Sequence, residues 1–331
     1  MPTIERARTF LLEAEKTGKK PLIVILGPTA SGKTAISLKL ALEVDGEIIS
    51  TDSRQIYRYM DLGTDKISKK IREKVKHHMI DIRDPDQSYS LADFQREANR
   101  VINDIHRRNK VPMLVGGTGL YISSIVNNYQ LPSAPPDPKI REELEQELEK
   151  DGAQALHKML EELDPLAASK IHPNNHRYLI RALEINLTTQ KTTDEQKKTK
   201  ECPYEVFQIG INWPNEVLFD RINRRVGEQI EDGLVEETQS LYNRYDKKLP
   251  SMTGLGYKQI VQYLDGDLTL EEAADLIRKE TREYARRQRT WFKRDQSIYW
   301  VSGEQLAKEI TKGLTQDDAV GGAQINQINE D

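Results

Sequence analysis

The sequence predicts an α/β fold, a parallel sheet flanked by helices, with an all-helical insertion. Three observations predict it. Short apolar runs rich in Ile and Val alternate with segments of helical spacing, the pattern of strands buried between helices. The glycine-rich "GPTASGKT", Gly27 to Thr34, lies between the first such run and the first such helix. Beyond "LPSAPPDP", where four of eight residues are proline, the pattern is helical to about Leu187, because proline continues neither a helix nor a central strand.

The elements follow in order. Residues 1–20 read as an N-terminal helix with mixed charge. "PLIVILG" is a strand ending in glycine, and "KTAISLKLALEV" is a helix with Ile36, Leu40 and Val44 near one face. "GEIIST" is a second strand. The helix "SLADFQREANRVINDIHRRNK" has Ser90 as N-cap and Asp93 three residues on. "VPMLVGGTGLY" is a third strand that breaks at Gly116-Gly117, and "YEVFQIGINW" returns to the core sheet. "HHMIDI" reads as if a strand continued through Asp81. The long amphipathic stretch from Val217 is a helix or helix pair. The expected organisation is a catalytic core over 21–131 and 201–302, a helical insertion over 132–200 and a flexible tail over 303–331. "TTQKTTDEQKKTKE" reads as a linker or mobile loop.

Composition excludes several classes. No apolar run is long enough to span a membrane, and the N-terminus lacks the order of a signal peptide or a basic targeting extension. A single cysteine, Cys202, excludes an internal disulfide and a cysteine-based zinc site, and suits a reducing cytoplasm. Net charge is −4, so nucleic-acid binding needs a local patch. Leu276 to Arg294 supplies one, with eight basic residues against two acidic. His77 and His78 have no third ligand nearby in sequence and read as parts of a polar network. A monomer is expected.

GxxxxGK[ST] is matched in full by Gly27, Gly32, Lys33 and Thr34, in the strand-to-helix context that the motif requires. This makes the core P-loop NTPase-like. Backbone N–H groups from Gly27, Pro28, Thr29, Ala30, Ser31 and Gly32 onward would form a phosphate cradle, save at the proline. Lys33 adds a positive charge, and Thr34 can place its hydroxyl on Mg²⁺. A nucleotide kinase is one reading. Against it, no second strand ends in a clean Walker-type Asp beyond Asp52, and no compact arginine-rich lid is visible.

In chain order, "GPTASGKT", "DSRQIYRYMDLGTDK", "HHMIDIRDPDQSYSLADFQ", "VGGTGLYISS", "HRYLIRALE", "DRINRRV", "TGLGYKQ" and "RRQRTWFKR" resemble the bacterial tRNA dimethylallyltransferase family, from about Pro21 to Val301. The resemblance implies a P-loop core whose insertion grips the anticodon arm. It implies transfer of a dimethylallyl group from dimethylallyl diphosphate to N6 of the adenosine at position 37, in tRNAs reading codons that begin with U. Diphosphate is released and Mg²⁺ assists. Gly227 departs from the acid found in many members at that position, and the zinc finger of eukaryotic members has no counterpart. Adenylate isopentenyltransferase, acting on free AMP, ADP or ATP, is the alternative. The insertion and the basic helix argue against it, since a free nucleotide needs neither.

The chemistry agrees with the resemblance. An adenine N6 amine is a poor nucleophile and needs a proton acceptor, for which Asp52 stands at a strand end; a Mg²⁺ ligand or N-cap role is the alternative. Ser53 and Gln55 suit an adenine edge. Lys33, Thr34, Thr118 and either Arg221 or Arg225 would stabilise the departing diphosphate. The target base must be flipped out of its stack. Family position points to Asp52, Ser53, Arg54, Gln55, Thr118, Arg141, Arg177, Arg181 and the Gly254, Gly256 and Lys258 turn as tRNA contacts. Arg286, Arg287, Arg289 and Lys293 would bind phosphates, with Trp291 nearby for packing or stacking.

Overall fold

A computed structural model describes residues 2–131, 137–189 and 200–311. Six parallel strands form one sheet in the order β3-β2-β4-β1-β5-β6. They are β1 (Lys20–Leu26), β2 (Gly46–Ser50), β3 (His77–His78), β4 (Val111–Gly116), β5 (Tyr204–Asn212) and β6 (Tyr299–Ser302). β1 is central, paired with β4 on one side and β5 on the other. Leu22 to Leu26 are fully buried, which explains an uninterrupted apolar strand: both faces are covered. The carboxyl ends of β1, β2 and β4 carry the loops at Gly27, Thr51-Asp52 and Gly117-Thr118, where ligands of open α/β sheets bind.

Helices α1 (Thr3–Thr17), α2 (Lys33–Val44), α3 (Lys69–Lys74), α4 (Leu91–Arg107) and α5 (Gly119–Val126) interleave the first four strands. The Ser90 cap forms as expected, with Asp93 returning a bond to the Ser90 N–H at 3.0 Å. After β5 come α9 (Asn215–Glu231), α10 (Leu234–Arg244), α11 (Tyr257–Leu264) and α12 (Leu270–Phe292). Where one long helix or a pair was expected, Gly233, at φ 106°, separates two helices. A core of Ile56, Met60, Val226, Leu234, Tyr257 and Ile277 joins these helices to the loop after β2.

The chain divides into two compact units, Ser123–Cys202 and the remainder. The smaller unit contains α6 (Pro138–Leu163), broken at Gly152, α7 (Pro165–Ala168) and α8 (His176–Thr189). Its own core is Leu144, Leu156, Leu160, Leu179 and Leu183. Most of the proline break, most of the polar loop after Thr189 and the tail beyond Thr311 lie outside the described residues. Among the described residues no helix is long and apolar enough to cross a membrane.

Two expectations are corrected. Residues 303–311 are not a flexible tail but a helix, α13, with Leu306 and Ile310 buried. Lys39 of α2 caps its end, donating to the carbonyls of Glu309 at 2.6 Å and Ile310 at 3.0 Å. No strand runs through Asp81, because Met79 and Asp81 adopt left-handed conformations at φ 64° and 57°. Asp81 instead pairs with Lys66 at 2.8 Å and Arg72 at 2.7 Å.

Candidate active site

The loop from Gly27 to Thr34 curls at the carboxyl end of the central strand. Ala30, at φ 61°, and Gly32, at φ 85°, take left-handed conformations that reverse the chain into α2. Glycine carries no Cβ penalty there, so Gly32 is suited to its position. The Lys33 ammonium donates to the Pro28 carbonyl at 2.7 Å, and Trp213 Nε1 to the Ser31 carbonyl at 3.0 Å. Ser31 Oγ is buried without a hydrogen-bond partner, a polar atom suited to an anion's oxygen. Burial pushes the Lys33 pKa down to about 8, and the nearby Arg225 charge adds to this against the pull of Asp52 and Asp65. A concentration of positive charge around an anion-shaped loop is therefore already in place.

A cavity of about 240 Å³ opens beside this loop. It is lined by Thr29 to Ala35, by Asp52 and Gln55, by Asp65 and by Arg221, Arg224 and Arg225. Ile48, Ile67, Ile71, Ile80 and Val115 give it apolar walls.

Asp52 follows β2. Its Oδ1 accepts from the Arg54 N–H at 2.8 Å and the Gln55 N–H at 3.4 Å, which fixes the turn. Oδ2 accepts no hydrogen bond from the described residues. The N-cap-like role and a vacant oxygen thus coexist on one carboxylate. Gln55 is fully engaged: Oε1 accepts from Ser50 Oγ at 2.9 Å, and Nε2 donates to the carbonyls of Thr64 at 3.2 Å and Asp65 at 3.3 Å. Thr118 Oγ1 accepts from the Ser53 N–H at 3.2 Å, tying the turn after β4 to the turn after β2.

Both arginines left open by sequence reach the loop. Arg221 Nε donates to the Ala30 carbonyl at 2.8 Å and its guanidinium lies 5.1 Å from the Trp213 ring centre. Arg225 donates to Thr29 Oγ1 at 2.6 Å and to Asp65 at 3.2 Å. Both sit one helical turn apart on α9, as their spacing requires. An added Cβ at Gly227 would meet nothing within 4 Å, so a side chain there would be accommodated.

The remaining candidates fall in separate places. Arg54 donates to the Pro250 carbonyl and lies 3.5 Å from an ideal Cβ at Gly254, so it meets the Gly254–Lys258 turn. Gly256 caps α11 at φ 89°, and Lys258 lies 3.9 Å from Glu280. In the smaller unit, Arg141 and Arg181 share the buried Glu184, at 2.7 Å and 2.8 Å, while Arg177 is exposed. Burial alone would raise the Glu184 pKa, but hydrogen bonds from the two arginines hold it below the usual range. On α12, Arg286 lies over Phe219, Arg287 over Tyr284, and Arg289 donates to Asn215. Lys293 is exposed, and Trp291 is 37% exposed with an edge against Gly119. His77 and His78 bond the Val75 carbonyl and Glu47, each at 2.7 Å, the polar network expected.

Four participants escaped the sequence reading. Asp65 pairs with Arg225, and Arg224 lines the cavity. Tyr284 has its pKa raised to about 12, first by burial and then by the charge of Asp52, and it sits beside Thr118. Gln288 accepts from the Thr29 N–H at 2.9 Å and donates to the Gly117 carbonyl at 2.9 Å. For Asp65, Arg224 and Gln288 the only signal was their place inside the quoted motifs, and for Tyr284 its place in the basic stretch from Leu276 to Arg294.

The fold is a P-loop-like α/β core, and its site is a cavity at the phosphate-type loop beside a carboxylate. The sequence profile of the IPP transferase family matches residues 55–295, and the chain belongs to that family. A tRNA dimethylallyltransferase from Halalkalibacterium halodurans is 47% identical over 285 residues, covering 85% of this chain and 91% of the relative. One from Carboxydothermus hydrogenoformans is 46% identical over 303 residues, covering 90% and 97%. The crystal structure of the full-length tRNA isopentenylpyrophosphate transferase from Bacillus halodurans is similar with a TM-score of 0.66 at 41% identity, covering 94% of this chain and 99% of that one. A eukaryotic dimethylallyltransferase captured acting on tRNA gives a TM-score of 0.77 at 29% identity, covering 93% and 80%.

Proposed function

We propose that the protein transfers a dimethylallyl group from dimethylallyl diphosphate to N6 of adenosine 37 in tRNAs that read codons beginning with U. The observation that carries this is one cavity combining a phosphate loop, two arginines on that loop, and Asp52 with a vacant oxygen. The relatives named tRNA dimethylallyltransferase support the same reading over a kinase or an enzyme of free nucleotides.

The reaction balances as follows. The N6 lone pair forms a bond to the allylic carbon, the carbon–oxygen bond to diphosphate breaks, and the electron pair leaves with diphosphate. The N6 proton passes to Asp52 Oδ2. Lys33, Arg221, Arg225 and the loop N–H groups stabilise charge that grows on the leaving group. Apolar walls at Ile48, Ile67 and Val115 suit a five-carbon chain and keep water from it.

Mg²⁺ fits this donor set. Among the described residues no group of three or more His, Cys, Asp or Glu could hold a metal. Mg²⁺ commonly keeps its waters and binds substrate phosphates with few protein ligands. Thr34 would supply a hydroxyl, and the ion would neutralise diphosphate charge. We place the activity in the cytoplasm and expect a monomer.

The test mixes purified protein with Mg²⁺, labelled dimethylallyl diphosphate and either unmodified tRNA or AMP. Label in tRNA alone is expected. Label in AMP would move the substrate to a free nucleotide, and ATP hydrolysis with no label in either would replace the reading with a nucleotide hydrolase.

A further inference from the structure

Helix α12 carries a basic outer face, yet its inner face does something charge does not explain. Tyr284, Gln288 and Trp291, spaced four and three residues apart, share one side of the helix. All three meet the four-residue turn Gly116–Gly119. Tyr284 sits beside the Thr118 side chain, Gln288 donates to the Gly117 carbonyl at 2.9 Å, and Trp291 packs on Gly119. The glycines are shaped to this contact. A Cβ at Gly117 would lie 2.2 Å from Gln288 Nε2, and one at Gly119 would lie 2.3 Å from Trp291 Cδ1. A side chain at Gly117 would displace the Gln288 amide, and one at Gly119 would displace the Trp291 ring.

Gln288 also reaches the phosphate loop. Its Oε1 accepts from the Thr29 N–H at 2.9 Å, so one carboxamide, only 6% exposed, links the loops after β1 and β4. The Thr29 hydroxyl is held from the other side by Arg225 at 2.6 Å. Thr29 is therefore held at its N–H and at its hydroxyl, which ties the entrance of the phosphate loop to α12.

We propose that Gln288 is a positioning residue that couples α12 to the diphosphate loop, so that the helix bearing Arg286 and Arg287 also sets the geometry of the cradle. This rests on the reading of the loop as a diphosphate site. Gln288 touches no reacting atom. It acts through the Thr29 amide and the Gly117 carbonyl.

The experiment compares Gln288→Leu and Gly117→Ala with the parent chain. Gln288→Leu keeps the volume roughly and removes both hydrogen bonds. Gly117→Ala expels the same amide from the opposite side. Three quantities are read: hydrogen exchange of the peptide spanning Gly27–Thr34, affinity for inorganic diphosphate with Mg²⁺, and KM for each substrate. Both variants are expected to exchange faster in that peptide and to bind diphosphate about tenfold more weakly. KM for dimethylallyl diphosphate rises while tRNA affinity stays within about twofold. A purely structural role would lower the melting temperature and leave diphosphate affinity unchanged. Unchanged exchange in the Gly27–Thr34 peptide, or unchanged diphosphate affinity despite parental binding, overturns the proposal. Faster exchange in variants of a parent that ignores diphosphate would sustain the mechanical link and discard the diphosphate reading.

Discussion

At Asp52 two tasks are divided between two oxygens, which makes a clean substitution possible. Asparagine keeps an oxygen to accept from Arg54 and Gln55 but cannot take a proton. Asp52→Asn is therefore expected to lower turnover by about 10²–10⁴, the usual worth of a general base, with tRNA affinity within about twofold. Near-parental turnover would remove Asp52 as the base. Lys33 yields a second prediction. Its folded pKa of about 8 lies below the ordinary lysine value of 10.5, so the unfolded chain holds this proton more tightly. The native state then carries a penalty of order 1–3 kcal/mol below pH 8, which fades as pH rises towards 10.5. Lys33→Met should melt higher than the parent at pH 7, with the gap closing by pH 10, while losing diphosphate binding. In the parent, titration calorimetry should show affinity for inorganic diphosphate falling between pH 7 and pH 9. Lys33, Thr34 and Asp52 were legible because a local motif and a strand end mark them. Asp65, Tyr284 and Gln288 were not, because each matters only through a partner far along the chain. Gln288 was further hidden by the arginines on either side of it, which drew attention to charge.

At the scale of elements, the loop from Asp52 to Lys66 has little regular structure, yet it shapes one wall of the cavity. A single carboxylate organises much of it. Glu237 on α10 accepts from the N–H groups of Asp61 at 3.0 Å and Leu62 at 3.0 Å, and from the Tyr257 hydroxyl at 2.6 Å. Gly63 can have no side chain, since its Cβ would lie 2.5 Å from the Tyr257 ring. Removing this acceptor leaves several donors unpaired, each costing about 1–3 kcal/mol if water does not replace it. Glu237→Ala should thus lower stability by roughly 2–3 kcal/mol and lower turnover as well, because Gln55 and Asp65 are held by the same loop. A denaturant midpoint like the parent's would refute this. Elements marked by glycine, proline or a cap were readable from sequence: β1, β2, β4, β5 and the Ser90 helix. The four-residue edge strand β6 and the helix after it were not. In "GEQLAKEIT" only Leu306 and Ile310 bury large apolar side chains, too little periodicity to separate a docked helix from a polar tail.

For the molecule as a whole, the net charge of −4 means that attraction to RNA is not a property of the overall field. It must come from where charge is concentrated and solvent-accessible. The three named arginines of the smaller unit differ in this respect, since Arg141 and Arg181 are partly neutralised by Glu184. On α12, Arg286 and Arg287 are exposed and rest on Phe219 and Tyr284, at 4.8 Å and 5.8 Å from the ring centres, rather than on carboxylates. The rings hold the guanidinium groups in place without cancelling their charge, leaving them able to pair with phosphates. Each phosphate neutralised releases counterions and contributes about 0.7–0.9 to the slope of log affinity against log salt. Replacing Arg286 and Arg287 together by Ala should therefore weaken tRNA binding and reduce the magnitude of that slope by roughly 1.5. Diphosphate affinity should change little, because Gln288, not the arginines, meets the loop. Binding titrations at four or five salt concentrations separate the outcomes. A weaker affinity with an unchanged slope would mean that the two arginines shape α12 and bind no phosphate.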